Sequence, residues 1–206
     1  NLLIDNQDGI CLITINRPGK LNALNKDTIQ ELSRAIEEAD SAVSVRVIVI
    51  TGSGNKAFIA GADISEFAHF SQEQGQALAT QGQADLFDRV ANCSTPVIAA
   101  INGYALGGGL ELAMAAHMRI ASDDAKMGLP EVSLGVIPGY GGTQRLPELV
   151  GKGRALELIC SAGMIEAQHA CAIGLVNSVV PADELLPTTM KLAQKIKRNA
   201  PIAIAH

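Results

Sequence analysis

Two hydrophobic patterns take turns along the chain. One is a short apolar run and the other is a helical stripe. Residues 10–15 (ICLITI), 45–51 (VRVIVIT) and 96–101 (PVIAAI) are nearly continuous and β-branched, as expected of strands covered on both faces. Residues 118–122 and 175–180 are also strand-like. Between these runs, residues 26–40 carry Ile29, Leu32 and Ile36 at helical spacing, behind Asn25, a good helix cap. Residues 71–90 are helical in composition, although Gly75 and Gly82 weaken the pattern. Helices are also predicted at 110–116, 152–161, 165–172 and from Pro181 through Leu185 towards Arg198. Residues 17–19 end the first strand and 52–55 form a turn. Residues 57–66 (AFIAGADISE), 102–109 (NGYALGGG) and 130–146 read as loops and turns. Strands alternating with helices place the chain in the α/β class. No composition shift, low-complexity tract or fixed-period repeat divides it, so one domain over residues 1–206 is expected.

Composition narrows the options. With 206 residues, 48% of them hydrophobic, the chain can bury one substantial core. It has no Trp, two Tyr and four Phe, so that core must be built from Ala, Val, Ile and Leu. The net charge of -5 and the absence of a Lys/Arg run argue against a nucleic-acid partner. Cys11, Cys93, Cys160 and Cys171 are scattered, which excludes a disulfide framework or zinc motif and fits a reducing compartment. No apolar run reaches the ~20 residues of a membrane span, and no basic segment precedes an apolar one at the start. A cytoplasmic location is expected, with no membrane partner.

Four stretches carry candidate chemistry. In Gly107-Gly108-Gly109-Leu110-Glu111, glycines lead directly into a helix. Helix N-termini present unpaired N–H groups, and glycine lets a ligand approach them. Such a start can hold a developing oxyanion, or it can be a tight turn packed on a neighbouring helix. Glu111 is surrounded by Gly, Leu, Ala and Met. A carboxylate buried there is costly unless it is paired or used. Glu131 lies in a second apolar setting, Leu129-Pro130-Glu131-Val132, where desolvation would raise its pKa. Two such carboxylates beside Gly/Pro turns suggest an acid–base pair. Ala60-Gly61-Ala62-Asp63 offers a second amide donor, the N–H of Ala62. Pro138-Gly139-Tyr140-Gly141-Gly142-Thr143 looks phosphate-cradling but lacks the dinucleotide and Walker patterns. There is no nucleophile elbow and no zinc-protease motif, and the four histidines are dispersed.

Together these stretches resemble the enoyl-CoA hydratase/isomerase (crotonase) family. The matching segments are NRPGKLNAL (16–24), AFIAGADISEF (57–67), PVIAAINGYALGGGLELAMAAHMRIAS (96–122), LPEVSLGVIPGYGGTQRLPELVG (129–151) and AIGLVNSVVP (172–181). The resemblance implies a spiral of repeated ββα units. It implies an oxyanion hole from the N–H groups of Ala62 and Gly108, and catalysis by Glu111 and Glu131. Retention of both glutamates favours a hydratase over an isomerase. Coenzyme A, part of the substrate, would lie against Leu24, Ala60, Ala62, Asp63, Ile64 and Ser65. No metal or other cofactor is implied. The partners implied are the acyl-CoA thioester and further copies of the chain, as a trimer or dimer of trimers. In a eukaryote the location would be the mitochondrial matrix. The family's C-terminal trimerisation helices would begin near residues 181–206, and the sequence ends at Pro201–His206 before they are complete. Two alternatives remain at this point: another crotonase-fold acyl-CoA enzyme such as an isomerase, and a non-enzymatic RNA-binding homologue.

Overall fold

The computed structural model describes residues 1–66 and 69–205, with the side chains of Ile64 and Gln72 left out. Phe67 and His206, which the sequence reading touched, lie outside the described residues.

The chain opens with a hairpin. Strand β1 (Leu2–Gln7) pairs antiparallel with β2 (Ile10–Ile15). Asp8 and Gly9 join them with φ of +48° and +72°, the left-handed pair that a two-residue hairpin turn requires. The hydrophobic pattern did not predict β1. Its outer position leaves most of it exposed, so no buried face marks it; the Asp-Gly pair was the available signal. Helix α1 (Lys26–Ser41) starts where expected. Asn25 accepts a hydrogen bond from the Thr28 N–H, and Ile29, Leu32 and Ile36 are buried. Strand β3 (Val47–Gly52) is buried at all six residues.

From there the chain spirals. Strand β4 (Ala57–Ile59) is followed by α2 (Gln72–Gly82), a π turn at Gln83–Phe87 and α3 (Asp88–Ala91). Strands β5 (Val97–Ile101) and β6 (Tyr104–Leu106) lead into α4 (Gly108–Ala115). Strands β7 (Met118–Ser122) and β8 (Lys126–Gly128) lead, through a 3-10 turn at Glu131–Leu134, into α5 (Gly142–Val150) and α6 (Lys152–Ser161). The chain ends with β9 (Met164–Glu166), α7 (Ala167–Ala172), β10 (Ser178–Val180), α8 (Leu185–Lys197) and α9 (Pro201–Ala205).

After the hairpin, three successive strand pairs are divided between two sheets. The large sheet has the order β1-β2-β3-β5-β7-β10 and the small one β4-β6-β8-β9. Thus β3/β4, β5/β6 and β7/β8 each place one strand in each sheet before a helical segment, which is the expected ββα spiral. The repeat lives in topology, so no sequence period reveals it.

The large sheet is parallel except at β1 and is covered on both faces. Ile48 and Ile50 join the main core with α1 and α4, while Val47 and Val49 face Leu185 and Ala193 of α8. The core is aliphatic, as composition demanded, with Phe58 and Phe87 its largest fully buried side chains. Four differences from the sequence reading share one cause. β4, β6, β8 and β9 are only three residues long, too short to show alternation. Helix α5 lies partly within a stretch read as loop, because Gly141, Gly142 and the internal Pro147 all look like breakers. No described helix is long and apolar enough to cross a membrane.

Candidate active site

The start of α4 is fixed by steric necessity. A Cβ on Gly109 would lie 2.0 Å from the Ile59 carbonyl oxygen, so only glycine lets α4 press against β4. Gly107 turns the chain into the helix with φ +52° and ψ -126°, and a Cβ there would lie 3.0 Å from Glu131 Oε1. The far end of α4 is gripped by Arg119, only 5% exposed, which donates to the carbonyls of Ala113 and Ala116. A third bond to the Leu175 carbonyl ties that end to the chain before β10. Burial lowers the Arg119 pKa to about 10.

The loop at Ala60–Asp63 is laced to the segment before α1. Leu24 and Ala62 form a parallel bridge, in which the Leu24 N–H donates to Gly61 O (2.8 Å) and the Asp63 N–H to Leu24 O (2.7 Å). The Ala60 N–H donates to Leu21 O at 3.1 Å. That register turns the Ala62 N–H away from its partner strand, helped by Gly61 at φ +115°. Arg17 pairs with Asp63 at 3.1 Å and also donates to the Ala23 carbonyl. Ser65 Oγ donates to Asp63 Oδ1 at 2.6 Å. Together the Ser65 and Arg17 bonds hold the Asp63 carboxyl below the usual carboxylate range.

The two loops meet. The Ala62 nitrogen lies 3.8 Å from the point where a Gly108 Cβ would be. Neither the Ala62 nor the Gly108 N–H donates to any described residue. Two amide donors with no partner among the described residues therefore lie close together beside a helix N-terminus, where the dipole adds positive potential.

Both predicted glutamates lie beside them, in unlike settings. Glu111 is 1% exposed, and its Oε1 accepts the N–H groups of Tyr140 and Gly142, each at 2.8 Å. Burial pushes its pKa up to about 7, with the negative charge of Glu131 adding to the rise and the two amides opposing it. Glu131 is half-buried at the start of its 3-10 turn. Its Oε2 is buried and accepts no hydrogen bond from any described residue. Burial raises its pKa as well.

In residues 138–143, the N–H groups of Tyr140 and Gly142 are taken up by the Glu111 carboxyl. Two of the amides that looked ready for phosphate thus go to a carboxyl from α4. The Tyr140 ring lies flat on Phe87, with centroids 4.4 Å apart and planes 6° apart, and faces Gly108. Sequence reasoning missed Tyr140, Gly142 and Phe87, because their roles depend on contacts with no local signature.

The other expected positions lie on the Ala60–Asp63 loop, just after it, or on the segment bridged to it. Leu24 is buried, Asp63 is partly buried, and Ser65 is exposed. The backbone of Ile64 lies in a 3-10 turn, Ile64–Glu66. Among the described residues, no group of three His, Cys, Asp or Glu side chains could hold a metal ion.

A sequence profile described as enoyl-CoA hydratase/isomerase matches residues 5–206. The chain belongs to the enoyl-CoA hydratase/isomerase family. Within that family it is 47% identical over 204 residues to the short-chain-enoyl-CoA hydratase of Clostridium acetobutylicum, covering 99% of this chain and 78% of that protein. It is 45% identical, with the same coverage, to the crotonyl-CoA hydratase of Syntrophomonas wolfei. The crystal structure of an enoyl-CoA hydratase from Bacillus anthracis superimposes with a TM-score of 0.95 at 42% identity, covering 100% of this chain and 80% of that one.

Proposed function

We propose that this chain is a hydro-lyase that adds water across the trans-2 double bond of short- to medium-chain enoyl-CoA thioesters, giving 3-hydroxyacyl-CoA. One observation carries the reading: two free amides, on Ala62 and Gly108, converge beside two carboxylates that bind protons more tightly than usual.

The two N–H groups hold the thioester oxygen, and more strongly as negative charge builds on it. This polarisation makes C3 electrophilic. Water attacks C3 as Glu111 takes one of its protons, and the electron pair of the double bond moves towards the thioester oxygen. Glu131 then delivers a proton to C2 as the carbonyl reforms. The product has gained one water, and the pair has exchanged which member is protonated. Glu131 Oε2, buried without a partner, is the atom best placed to reach a ligand. The pair is active with one proton between its members, and its titration belongs to both.

In this reading the coenzyme A portion runs along Leu24, Ala60, Ala62, Asp63, Ile64 and Ser65. Residues 1–206 act as one crotonase-like domain in the cytoplasm, assembled as a trimer or pair of trimers. The reaction draws on no metal and no cofactor besides the coenzyme A of the substrate. The test is direct. Loss of the ultraviolet absorbance of the conjugated thioester in crotonyl-CoA reports hydration. The reverse change from a 3-enoyl-CoA reports isomerisation. Rapid hydration with little isomerisation is expected; isomerisation alone would replace this reading with an isomerase.

A further inference from the structure

We propose that Arg145 is the positioning residue for Glu111, acting through the turn that ends at Gly142. This rests on the hydratase reading and goes beyond it. Arg145 stands in α5 with its side chain 15% exposed. One guanidinium nitrogen donates to the Tyr140 carbonyl at 2.7 Å and the other to Asp88 Oδ1 at 2.7 Å. Tyr140 is therefore held from both sides. Its carbonyl is bound by Arg145, and its N–H is bound to Glu111.

The space between cation and carboxylate is filled. Gly141 has φ +86°, and a Cβ on it would lie 2.3 Å from Arg145 Nη1. A Cβ on Gly142 would lie 2.9 Å from Glu111 Oε1. Two bare backbone positions are thus pressed between Arg145 and Glu111. A movement of the guanidinium is passed on to the two amides that orient the carboxylate.

Asp88 supplies the anchor. It follows the π turn Gln83–Phe87, and such turns are frequent at functional sites. The π turn places Phe87 on the Tyr140 ring, and the next residue, Asp88, on Arg145. The same short segment grips the turn twice, once by stacking and once by charge. The charged and titratable groups around Glu111 are Glu131 from the 3-10 turn, Tyr140 from the gripping turn and Arg145 from α5. Arg145 is the cation among them, and it favours the ionised form of Glu111. Lysine, a point charge on a flexible stem, cannot reproduce a planar fork that bridges two acceptors.

The test compares Arg145→Met, Arg145→Lys and Asp88→Asn with the wild type. Turnover, KM and the pH profile of crotonyl-CoA hydration are measured, together with the melting temperature. For Arg145→Met, kcat should fall about 10²-fold, the scale of a small misplacement of a catalytic group, with KM little changed. Its acidic limb should move to higher pH, because loss of the cation raises the proton affinity of Glu111. Arg145→Lys should keep the position of the limb but lose part of kcat, which separates charge from geometry. Asp88→Asn should lose least, and the double variant with Arg145→Met should be no worse than Arg145→Met alone. A folded Arg145→Met with wild-type turnover and an unmoved limb would overturn the proposal. If that variant does not fold, a folded Arg145→Lys with full turnover overturns it equally. A wild type inert towards crotonyl-CoA would sink the hydratase reading and this proposal together. An active wild type with indifferent Arg145 variants would sink this proposal alone.

Discussion

Glu111 and Glu131 are the same residue in contrasting surroundings. Glu111 stands on a helix, almost fully buried, with one oxygen satisfied by two backbone amides. Glu131 begins a short 3-10 turn, with one buried oxygen left without a partner. One carboxylate is held by the fold and the other is left to meet a ligand. A buried, unpaired carboxylate oxygen is costly, and groups of this kind are kept where a site uses them. The difference suits the proposed mechanism, in which the fixed group takes a proton from water and the less constrained one delivers a proton to the substrate carbon.

The sharpest way to break that comparison is to neutralise each side in turn. Glu111→Gln and Glu131→Gln should each lower turnover of crotonyl-CoA by about 10²–10⁴-fold, the range of general acid–base catalysis, with little change in KM. If only one variant is impaired, the shared-proton account fails.

The next largest effect concerns the amides between the two carboxylates. Gly108 is the first residue of α4, where proline is conformationally welcome. Gly108→Pro removes one N–H and should cost about 10²–10³-fold in kcat. Gly108→Ala keeps the N–H, and its Cβ meets the Tyr140 ring at a tolerable 3.4 Å, so it should be much milder. Equal losses in the two variants would mean that packing at residue 108 matters rather than the N–H.

Much of this was legible in the sequence, and the boundary is physical. The Asn25 cap, the strand over residues 10–15 and the helix over residues 152–161 rest on local chemistry, and the structure has each in place. The glycine-to-helix start at residues 107–111 was local too. The grip of Tyr140 and Gly142 on Glu111 spans 29 and 31 residues, and no period or propensity encodes it. The same holds for the π turn, whose purpose appears only when Phe87 meets Tyr140. Even Gly109 was ambiguous before β4 was seen lying against it. There, Gly109→Ala should cost about 1–3 kcal/mol of stability by overpacking, and some activity with it.

A further effect is on stability and is pH-dependent. Burial raises the Glu111 pKa from its ordinary 4.5 to about 7. The folded chain therefore holds that proton more tightly than the unfolded chain does. Stability contributed by the protonated form is present below pH 4.5 and is lost as pH rises through about 7. Glu111→Gln abolishes this dependence. The variant should be more stable than wild type at pH 8, by up to about 3 kcal/mol, and the gap should close towards pH 4.5. Thermal melts at the two pH values read it. A pH-independent difference would mean that Glu111 is ionised in the folded chain throughout.

The smallest change expected is at the tethered loop. Asp63→Asn keeps an acceptor for Arg17 and Ser65 but weakens the ion pair, which is partly exposed on both sides. A cost of about 1 kcal/mol or less is expected, read as a modest rise in KM for the thioester.

The central claim is that two carboxylates share one proton beside two free amides. Its most direct test is the pH dependence of kcat/KM for wild-type hydration of crotonyl-CoA, from about pH 5 to pH 9. The account predicts a bell, falling on the acid side as both glutamates become protonated and on the alkaline side as both ionise. A profile that stays flat across that range would contradict it.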